Sequence, residues 1–370
     1  MSCMGTSASP YKPDSAMPRR IPALITYLHP FYLVEGEGIE PWRVTIDDVN
    51  RAAWDYVKLH EVVGALDVGL DAPYHLVLGR DGALALPPIP ELREHQRVVE
   101  FFNRCLAALL LGGIYCEAIT LDNLETGSII DWKYIRVHSH AQGGQNGFHN
   151  LLRLRMAPPL EAIALLYPRT VTLAELHKAM AAGLAAINAV PPLSGEFLLK
   201  GTSGIARRDW GSGLSNLWIV IEQITEHLWQ REVMAPSKAG DRIEGRSSQL
   251  KDTRTWTAAT RQELLHQKGV IAPDTLRTLY VARRARNDLF HRGDHPTETA
   301  AIAGYDAVRS LLRIALQGAE LPLFRLNLAD HVLSDPFKPR EREALDPKYW
   351  IPIPKLPGEQ ELEIEEGRRE

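Results

Sequence analysis

The chain has 370 residues, of which 45% are hydrophobic and 24% are charged, and its formal net charge is -4. This composition is typical of a globular protein with a substantial core, and it excludes a protein whose whole surface is basic. Any contact with nucleic acid therefore has to use a local patch of positive charge. The length favours two or three domains over a single one.

The cysteines and the hydropathy pattern predict the cellular compartment. Cys3, Cys105 and Cys116 are odd in number and lack C-x-x-C spacing, which indicates a reducing compartment without a disulfide framework. No apolar run reaches the roughly 20 residues that span a bilayer. The apolar segment at 19–32 is too short and too interrupted by proline for a signal peptide. We therefore expect a cytoplasmic protein that does not bind membranes.

The first half of the chain predicts an α+β domain of unknown role over residues 21–195, after a disordered N-terminus over residues 1–20. Strands are expected at "PALITYL", "WRVTI", "SIIDWKYIRVH" and "FHNLLRLRMA", and a hairpin at "YHLVLGRDGALAL". Helices are expected at "PELREHQRVVEFFNRCLAALLLGG" and "TLAELHKAMAAGLAAINA".

The second half predicts an all-α bundle of four helices over residues 208–320. Residues 196–213 contain several glycines and are interpreted as a linker, and residues 235–254 as a loop. The third helix of the bundle begins near Pro273 and ends before Gly293. Residues 321–370 form an extended tail with an acidic end.

The end of the third helix, "ARRARNDLFHRG", is polar where a core is expected. The direction of the core is set by Leu276, Leu279 and Tyr280. Continued at 100° per residue, that stripe runs through Arg283, Asn287 and Phe290. Arg286 and His291 lie on the two edges of the stripe, about 140° apart. Polar side chains that point inward at a helix end predict a cleft suited to phosphate.

A structural alternative explains the same residues. Arg283 and Arg286 can form ion pairs with an acidic residue of the first helix, such as Glu222. Arginine and histidine are also common at helix C-termini because they complement the helix dipole. Spacing alone does not decide between a phosphate cleft and an ion-pair cluster.

The order Arg286-Asn287-x-x-x-His291, which ends at Gly293, resembles the R-x4–6-H motif of HEPN domains (higher eukaryotes and prokaryotes nucleotide-binding). The stretches "LYVARRARND" and "LSNLWIVIEQITEHLW" resemble the Apea-like branch of that superfamily, which occurs in anti-phage abortive-infection proteins. The resemblance covers roughly residues 208–320.

The resemblance implies a metal-independent endoribonuclease that uses no cofactor and acts in phage defence or a stress response. It implies a homodimer in which two motifs share one RNA-binding cleft. His291 would be the general acid or base and Arg286 the phosphate ligand, with Asn287 and Arg283 in support. Asp288 departs from this picture because it places negative charge inside the motif. The N-terminal domain would sense a trigger or hold a partner.

A fainter resemblance connects "FFNRCLAALLLGG" and "EAITLDNLETGS" with MauJ-like proteins of methylamine-utilisation clusters. It implies a non-catalytic accessory protein whose helical bundle mediates assembly. In that reading the Arg/His motif is a structural cluster. Apart from either resemblance, we expect Trp218 and Trp229 of the first bundle helix to be core or dimer-interface residues and not base-stacking platforms. Arg207 and Arg208 either extend an RNA-facing patch or belong to the linker.

Three histidines in "VHSHAQGGQNGFH" raise the question of a metal site. His138 and His140 form an H-x-H pair, which points both rings the same way on a strand, and His149 follows. No Asp, Glu or Cys nearby completes a ligand set, so we favour a surface hairpin and expect no metal.

Overall fold

The structure is a computed structural model, which describes residues 19–70, 75–138, 145–239 and 243–333. Almost all of the N-terminus predicted to be disordered and most of the predicted tail lie outside the described residues. The described residues up to Val332 form one compact unit.

The first half contains a six-stranded antiparallel sheet in the order β3-β4-β5-β1-β6-β7 and a parallel pair, β2 with β8. The strands are β1 (Arg20–Tyr27), β2 (Tyr32–Glu35), β3 (Val62–Leu66), β4 (Leu76–Gly79), β5 (Ala83–Leu86), β6 (Glu125–Ile130), β7 (Tyr134–Val137) and β8 (Arg169–Thr172). An α+β region followed by a helical region confirms the coarse fold prediction. "WRVTI" forms no strand, and its last residue begins a short helix.

The predicted hairpin of β4 and β5 is present, whereas "SIIDWKYIRVH", predicted as strand, contains the end of β6, a turn and β7. β4 and β5 are joined by the turn that contains Gly82, whose φ of 79° lies in the left-handed region that glycine adopts without strain. β6 and β7 are joined through Asp131 and Trp132. The outer edge of β7 is not open along its first half, because Ile135 N donates to His60 O and Val62 N donates to Lys133 O. The sheet therefore curls, so that β7 at one end of the strand order lies beside the start of β3 at the other end.

The helices of the chain are α1 (Ile46–Asn50), α2 (Tyr56–Leu59), α3 (His95–Leu111), α4 (Asn146–Arg153), α5 (Pro159–Ala162), α6 (Leu173–Ala189), α7 (Gly195–Ala206), α8 (Trp210–Trp229), α9 (Ala235–Ala239), α10 (Arg246–Lys251), α11 (Ala258–Gln267), α12 (Pro273–Arg292) and α13 (Glu298–Ala315). The predicted helices α3, α6, α8, α11, α12 and α13 are confirmed. The Thr172 side chain and Glu175 form a capping box that starts α6.

The predicted linker at 196–213 is wrong, because α7 and the first turn of α8 occupy it. Ser194 caps α7 by accepting a hydrogen bond from Phe197 N. The glycines serve close packing against α8: a Cβ on Gly201 would lie 2.6 Å from Leu217 Cγ, and one on Gly204 would lie 2.7 Å from Gly213 N. In this segment glycine permits two helices to touch and does not mark a flexible connection.

Two further predictions are corrected. "FHNLLRLRMA" is not a strand, because its residues belong largely to α4 and the turn after it. The buried face of α4 repeats at helical spacing but is partly polar, with Asn146, His149, Asn150 and Arg153 on it. The predicted loop at 235–254 contains the short helices α9 and α10.

A continuous hydrophobic core reaches from the sheet to the last helix. It includes Leu84 of β5, Leu106 of α3, Leu199 of α7, Ile221 of α8 and Leu312 of α13, all fully buried. Trp218 and Trp229 of α8 are buried as well, which confirms the core alternative for them within the described chain. The domain boundaries drawn at 195 and 208 stay predictions. None of the described helices combines the length and the apolar character needed to cross a membrane.

Candidate functional site

Local sequence signals determine where α12 begins and where it ends. Pro273 occupies the first turn, where its missing N–H costs no hydrogen bond. Gly293 ends the helix with a φ of 76°, and its N–H is bonded to Leu289 O. His291 and Arg292 therefore stand in the last turn, as the sequence predicts.

The buried side of α12 is rotated from the predicted one. Its buried residues are Leu276, Leu279 and Ala282, with Ala285 packed against the core. Tyr280, which helped to define the predicted stripe, is 40% exposed, and Phe290 is 59% exposed. The prediction that Phe290 continues the core is wrong, since the buried stripe follows the smaller alanines.

An arginine side chain lies over each of the two exposed rings, those of Tyr280 and Phe290. The guanidinium carbon of Arg283 lies 4.6 Å from the ring centre of Tyr280, and that of Arg286 lies 4.6 Å from the ring centre of Phe290. These are cation–π contacts, which orient a guanidinium while leaving its N–H groups free to donate. Arg286 also donates a 3.2 Å hydrogen bond to Asn287 Oδ1.

The predicted ion-pair partner is engaged elsewhere. Glu222 Oε1 accepts a 2.7 Å hydrogen bond from Trp218 Nε1 on its own helix. Across the described residues, neither Arg283 nor Arg286 forms an ion pair with Glu222 or with another carboxylate. The ion-pair alternative is therefore not realised with this partner.

The ion pairs of Asp288 are with arginines other than Arg283 and Arg286. Its carboxylate lies 3.9 Å from Arg284 Nε and 3.4 Å from an Arg292 nitrogen, both one turn away on the same helix. Two cations thus surround the one negative charge inside the motif. α12 as a whole carries five arginines and two aspartates, so its end is a local basic patch on an acidic protein.

His291 is exposed, and no hydrogen bond or ion pair ties it to the described part of the chain. Its imidazole is therefore accessible to a ligand. A cleft shared by Arg286 and His291 stays a prediction.

A second histidine near the helix end was missed by the sequence analysis. A side chain on Gly211 would lie 3.7 Å from both Leu289 Cδ2 and His295 Nδ1, so the first turn of α8 packs against the end of α12. Arg208 lies just before that turn, with its guanidinium 5.3 Å from the Trp210 ring centre. His295 follows Gly293 in a loop, and no motif in the sequence marks it.

The histidines considered for a metal lie in the first half and have separate surroundings. His138 Nε2 lies 3.0 Å from Ser128 Oγ, and His140 lies outside the described residues. His149 is buried on α4, where its ring stacks on Tyr27 at 4.2 Å and meets His29 edge-on at 5.2 Å. No group of three or more metal-ligating side chains occurs among the described residues.

His149 belongs to a buried polar cluster between α4 and the sheet. Arg153 forms a two-pronged ion pair with Asp81, with distances of 2.6 and 2.7 Å. Asn150 and Asn146 both donate to Glu125 Oε1, at 2.7 and 3.1 Å. The cluster is closed to solvent, which favours a structural role in fixing α4 on the sheet.

Comparisons with models of protein families, with curated proteins and with solved structures give no match to this chain.

Proposed function

We propose that this protein is an endoribonuclease of the HEPN type whose active site is the end of α12. The observation that carries the proposal is the state of the two arginines. Arg283 and Arg286 lie on aromatic rings and have no carboxylate partner in the described chain. Such a guanidinium is free to bind a phosphate with two parallel N–H groups.

The reaction needs few groups. The 2′-hydroxyl oxygen of RNA attacks the adjacent phosphorus, a P–O2′ bond forms and the P–O5′ bond breaks. A base takes the 2′-hydroxyl proton, and an acid gives a proton to the departing O5′, which leaves a 2′,3′-cyclic phosphate and a 5′-hydroxyl. The accessible imidazole of His291 can act in either proton transfer. Two copies in one cleft supply a histidine for each proton, and Arg286 stabilises the charge on the phosphate.

We expect His291→Ala to lower the rate of RNA cleavage by about 10²–10⁴-fold, the usual contribution of a general acid or base. Arg286→Ala should lower the rate by about 10²–10³-fold because it removes a donor to the developing charge. The double variant should be little worse than either single one, since the two residues act as a unit. The measurement uses labelled single-stranded and structured RNAs, with and without excess chelator.

Arg284→Ala is the matched control, because it removes an arginine of the same turn whose side chain is 88% exposed and faces Asp288. It should change the rate only a few-fold. Cleavage that chelator abolishes, or that persists in both active-site variants, would place the chemistry elsewhere. If the purified protein cleaves no RNA, the readout is toxicity on overexpression, which His291→Ala should relieve. In that case we propose that the α+β region senses a trigger in phage defence or stress.

The rival proposal is a non-catalytic scaffold, and one observation favours an assembly surface. Tyr280 and Val281 of α12 are adjacent exposed apolar side chains. The apolar residues of α8, by contrast, are buried within the protomer. We therefore propose that α12, more than α8, forms the contact of a symmetric dimer.

We expect light scattering at micromolar concentration to give the mass of a dimer, and Val281→Lys to shift the protein toward the monomer by placing a charge in the apolar contact. Tyr167→Lys is the control, since Tyr167 is exposed but lies in the first half. A wild-type protein that is monomeric throughout this range contradicts the dimer. A dimer that never cleaves RNA and causes no toxicity favours the scaffold.

A further inference from the structure

A groove of about 650 Å³ opens beside the hairpin of β6 and β7. It is bounded by the start of β1, by α2, by β7 and by the end of α4. Its volume is within the range of pockets that bind small molecules, roughly 300–1,000 Å³. The end of α12 does not contribute to it.

The lining of this groove is basic and aromatic. Arg20, Arg136 and His138 contribute polar groups, and Tyr56 and Tyr134 contribute partly exposed rings. Among the described residues that line the groove there is no carboxylate. Neither Arg20 nor Arg136 forms a side-chain hydrogen bond or an ion pair within the described chain. The nearby Asp131 is engaged by the backbone N–H of Arg19, and Asp55 caps α2. Two arginines thus face the groove, and neither is paired with a carboxylate of the described chain.

Strand pairing places the arginines and one ring on the same face. Arg20 of β1 pairs with Ile130 of β6, which pairs with Tyr134 of β7, so the three stand in one row across the sheet. Arg136 lies two residues along β7 and so points to the same side as Tyr134. Neighbouring strands are about 4.8 Å apart, so Arg20 and Tyr134 are separated by roughly 10 Å at the backbone.

We propose that this groove binds a nucleoside phosphate, with the base stacked on Tyr134 and the phosphate held by Arg20 and Arg136. Arginine forks match phosphate oxygens, and a tyrosine ring offers the stacking surface that a planar base needs. Val57, Ile130 and Leu154 provide the apolar wall for the rest of the ligand. The phosphate can belong to a free nucleotide or to the end of an RNA strand, since the recognition chemistry is the same.

The proposal concerns a site apart from α12 and does not depend on ribonuclease activity. Its test is calorimetric titration of the full-length protein with ATP, GTP, CTP and UTP, with a single-stranded hexanucleotide, with adenosine and with inorganic phosphate. We expect at least one nucleotide or the hexanucleotide to bind more tightly than adenosine or phosphate alone. The hexanucleotide is also titrated into the Arg283→Ala/Arg286→Ala variant, so that binding at the end of α12 is not counted.

We expect Arg20→Ala and Arg136→Ala each to weaken binding by about tenfold or more, because each removes a charged hydrogen-bond donor. Tyr134→Leu should weaken nucleotide binding roughly 5- to 100-fold, the range of base stacking on an aromatic ring. Tyr134→Phe, which keeps the ring, should bind like the wild type. Lys133→Ala removes the same charge from the same hairpin outside the lining and should change affinity less than about threefold.

Thermal melting of each variant identifies any that fails to fold. The binding affinities of Tyr134→Phe and Lys133→Ala can then still be compared with that of the wild type. The proposal is overturned if none of the nucleotides and oligonucleotides binds at millimolar concentration. It is also overturned if the arginine variants bind as the wild type does.

Discussion

Replacing Asp81 with asparagine is expected to lower the free energy of unfolding by roughly 3–5 kcal/mol, the usual effect of breaking a buried ion pair from one side. The Asp81 and Arg153 side chains are 1% and 0% exposed, so the lost charge leaves an uncompensated guanidinium out of reach of water. Burial is the largest single influence on the pKa of Arg153 and lowers it, but Asp81, Tyr27 and Glu125 together outweigh burial and hold that pKa above its ordinary value. The guanidinium stays charged when its partner is removed, because arginine is effectively always protonated in proteins.

The position of the pair in the fold adds to this loss. Arg153 ends α4 and donates a third hydrogen bond, of 2.9 Å, to Ile135 O of β7. Asp81 stands in the turn between β4 and β5. One guanidinium thus connects a helix to two separate parts of the sheet, and we expect α4 to detach when the pair is broken.

Urea unfolding followed by far-UV circular dichroism measures the effect. Asp47→Asn is the control, because Asp47 forms an exposed pair with Arg51 at 3.9 Å, and exposed pairs contribute little to stability. Replacing both buried partners, as in Asp81→Leu/Arg153→Met, should recover part of the lost stability, since the apolar pair leaves no buried charge. An Asp81→Asn variant with the unfolding midpoint of the wild type would show that the pair does not hold α4.

The parts of the fold that sequence predicts are those with local signals. The hairpin of β4 and β5 follows from alternating apolar residues around Gly82, and α12 follows from Pro273 and Gly293. α4 could not be predicted in this way, because polar residues occupy its buried face. Asn150 and Arg153 are accommodated there by partners that are distant in sequence, among them Glu125 and Asp81.

The candidate site, too, could be predicted from the sequence only in part. The basic end of α12 is visible in the sequence because its arginines, Asn287 and His291 fall within one short stretch. The stacking of Arg286 on Phe290 is not visible, since a phenylalanine at helical spacing normally indicates the core. The groove could not be predicted from the sequence either. Arg20, Tyr56 and Arg136 line it together because the curl of the sheet brings β1, α2 and β7 close to one another.

The second large effect we expect is a loss of stability in mild acid that is caused by the buried histidines. Burial lowers the pKa of His29 from 6.5 to about 4, and it lowers the pKa of His149 well below the ordinary value, with His29 and Arg153 adding to the effect. Both rings are therefore neutral in the folded protein at pH values where they are protonated in the unfolded chain.

The sign of the effect follows from proton uptake. Below pH 6.5 the unfolded chain binds protons that the folded protein cannot, so stability is complete above pH 6.5 and falls as the pH is lowered. For His29 the loss continues down to about pH 4, where the folded protein itself takes up the proton. At pH 5 this single group costs about 2 kcal/mol, since one pKa unit corresponds to about 1.4 kcal/mol. His149 acts in the same direction.

Urea unfolding at pH 7.5, 6.5, 5.5 and 5.0 measures this loss, and His149→Phe tests its origin. The backbone groups of Asp81 and Leu28 approach the His149 ring without forming well-aligned hydrogen bonds, so phenylalanine loses little there and keeps the stacking on Tyr27. We expect His149→Phe to fold at pH 7.5 and to lose clearly less stability between pH 7.5 and 5.0 than the wild type. His291→Ala, at an exposed position, serves as the control and should follow the wild-type curve. If His149→Phe shows the same fall as the wild type, the acid sensitivity does not come from His149. The lowered carboxyl pKa values of groups such as Glu175 act only nearer pH 4 and do not account for a loss above pH 5.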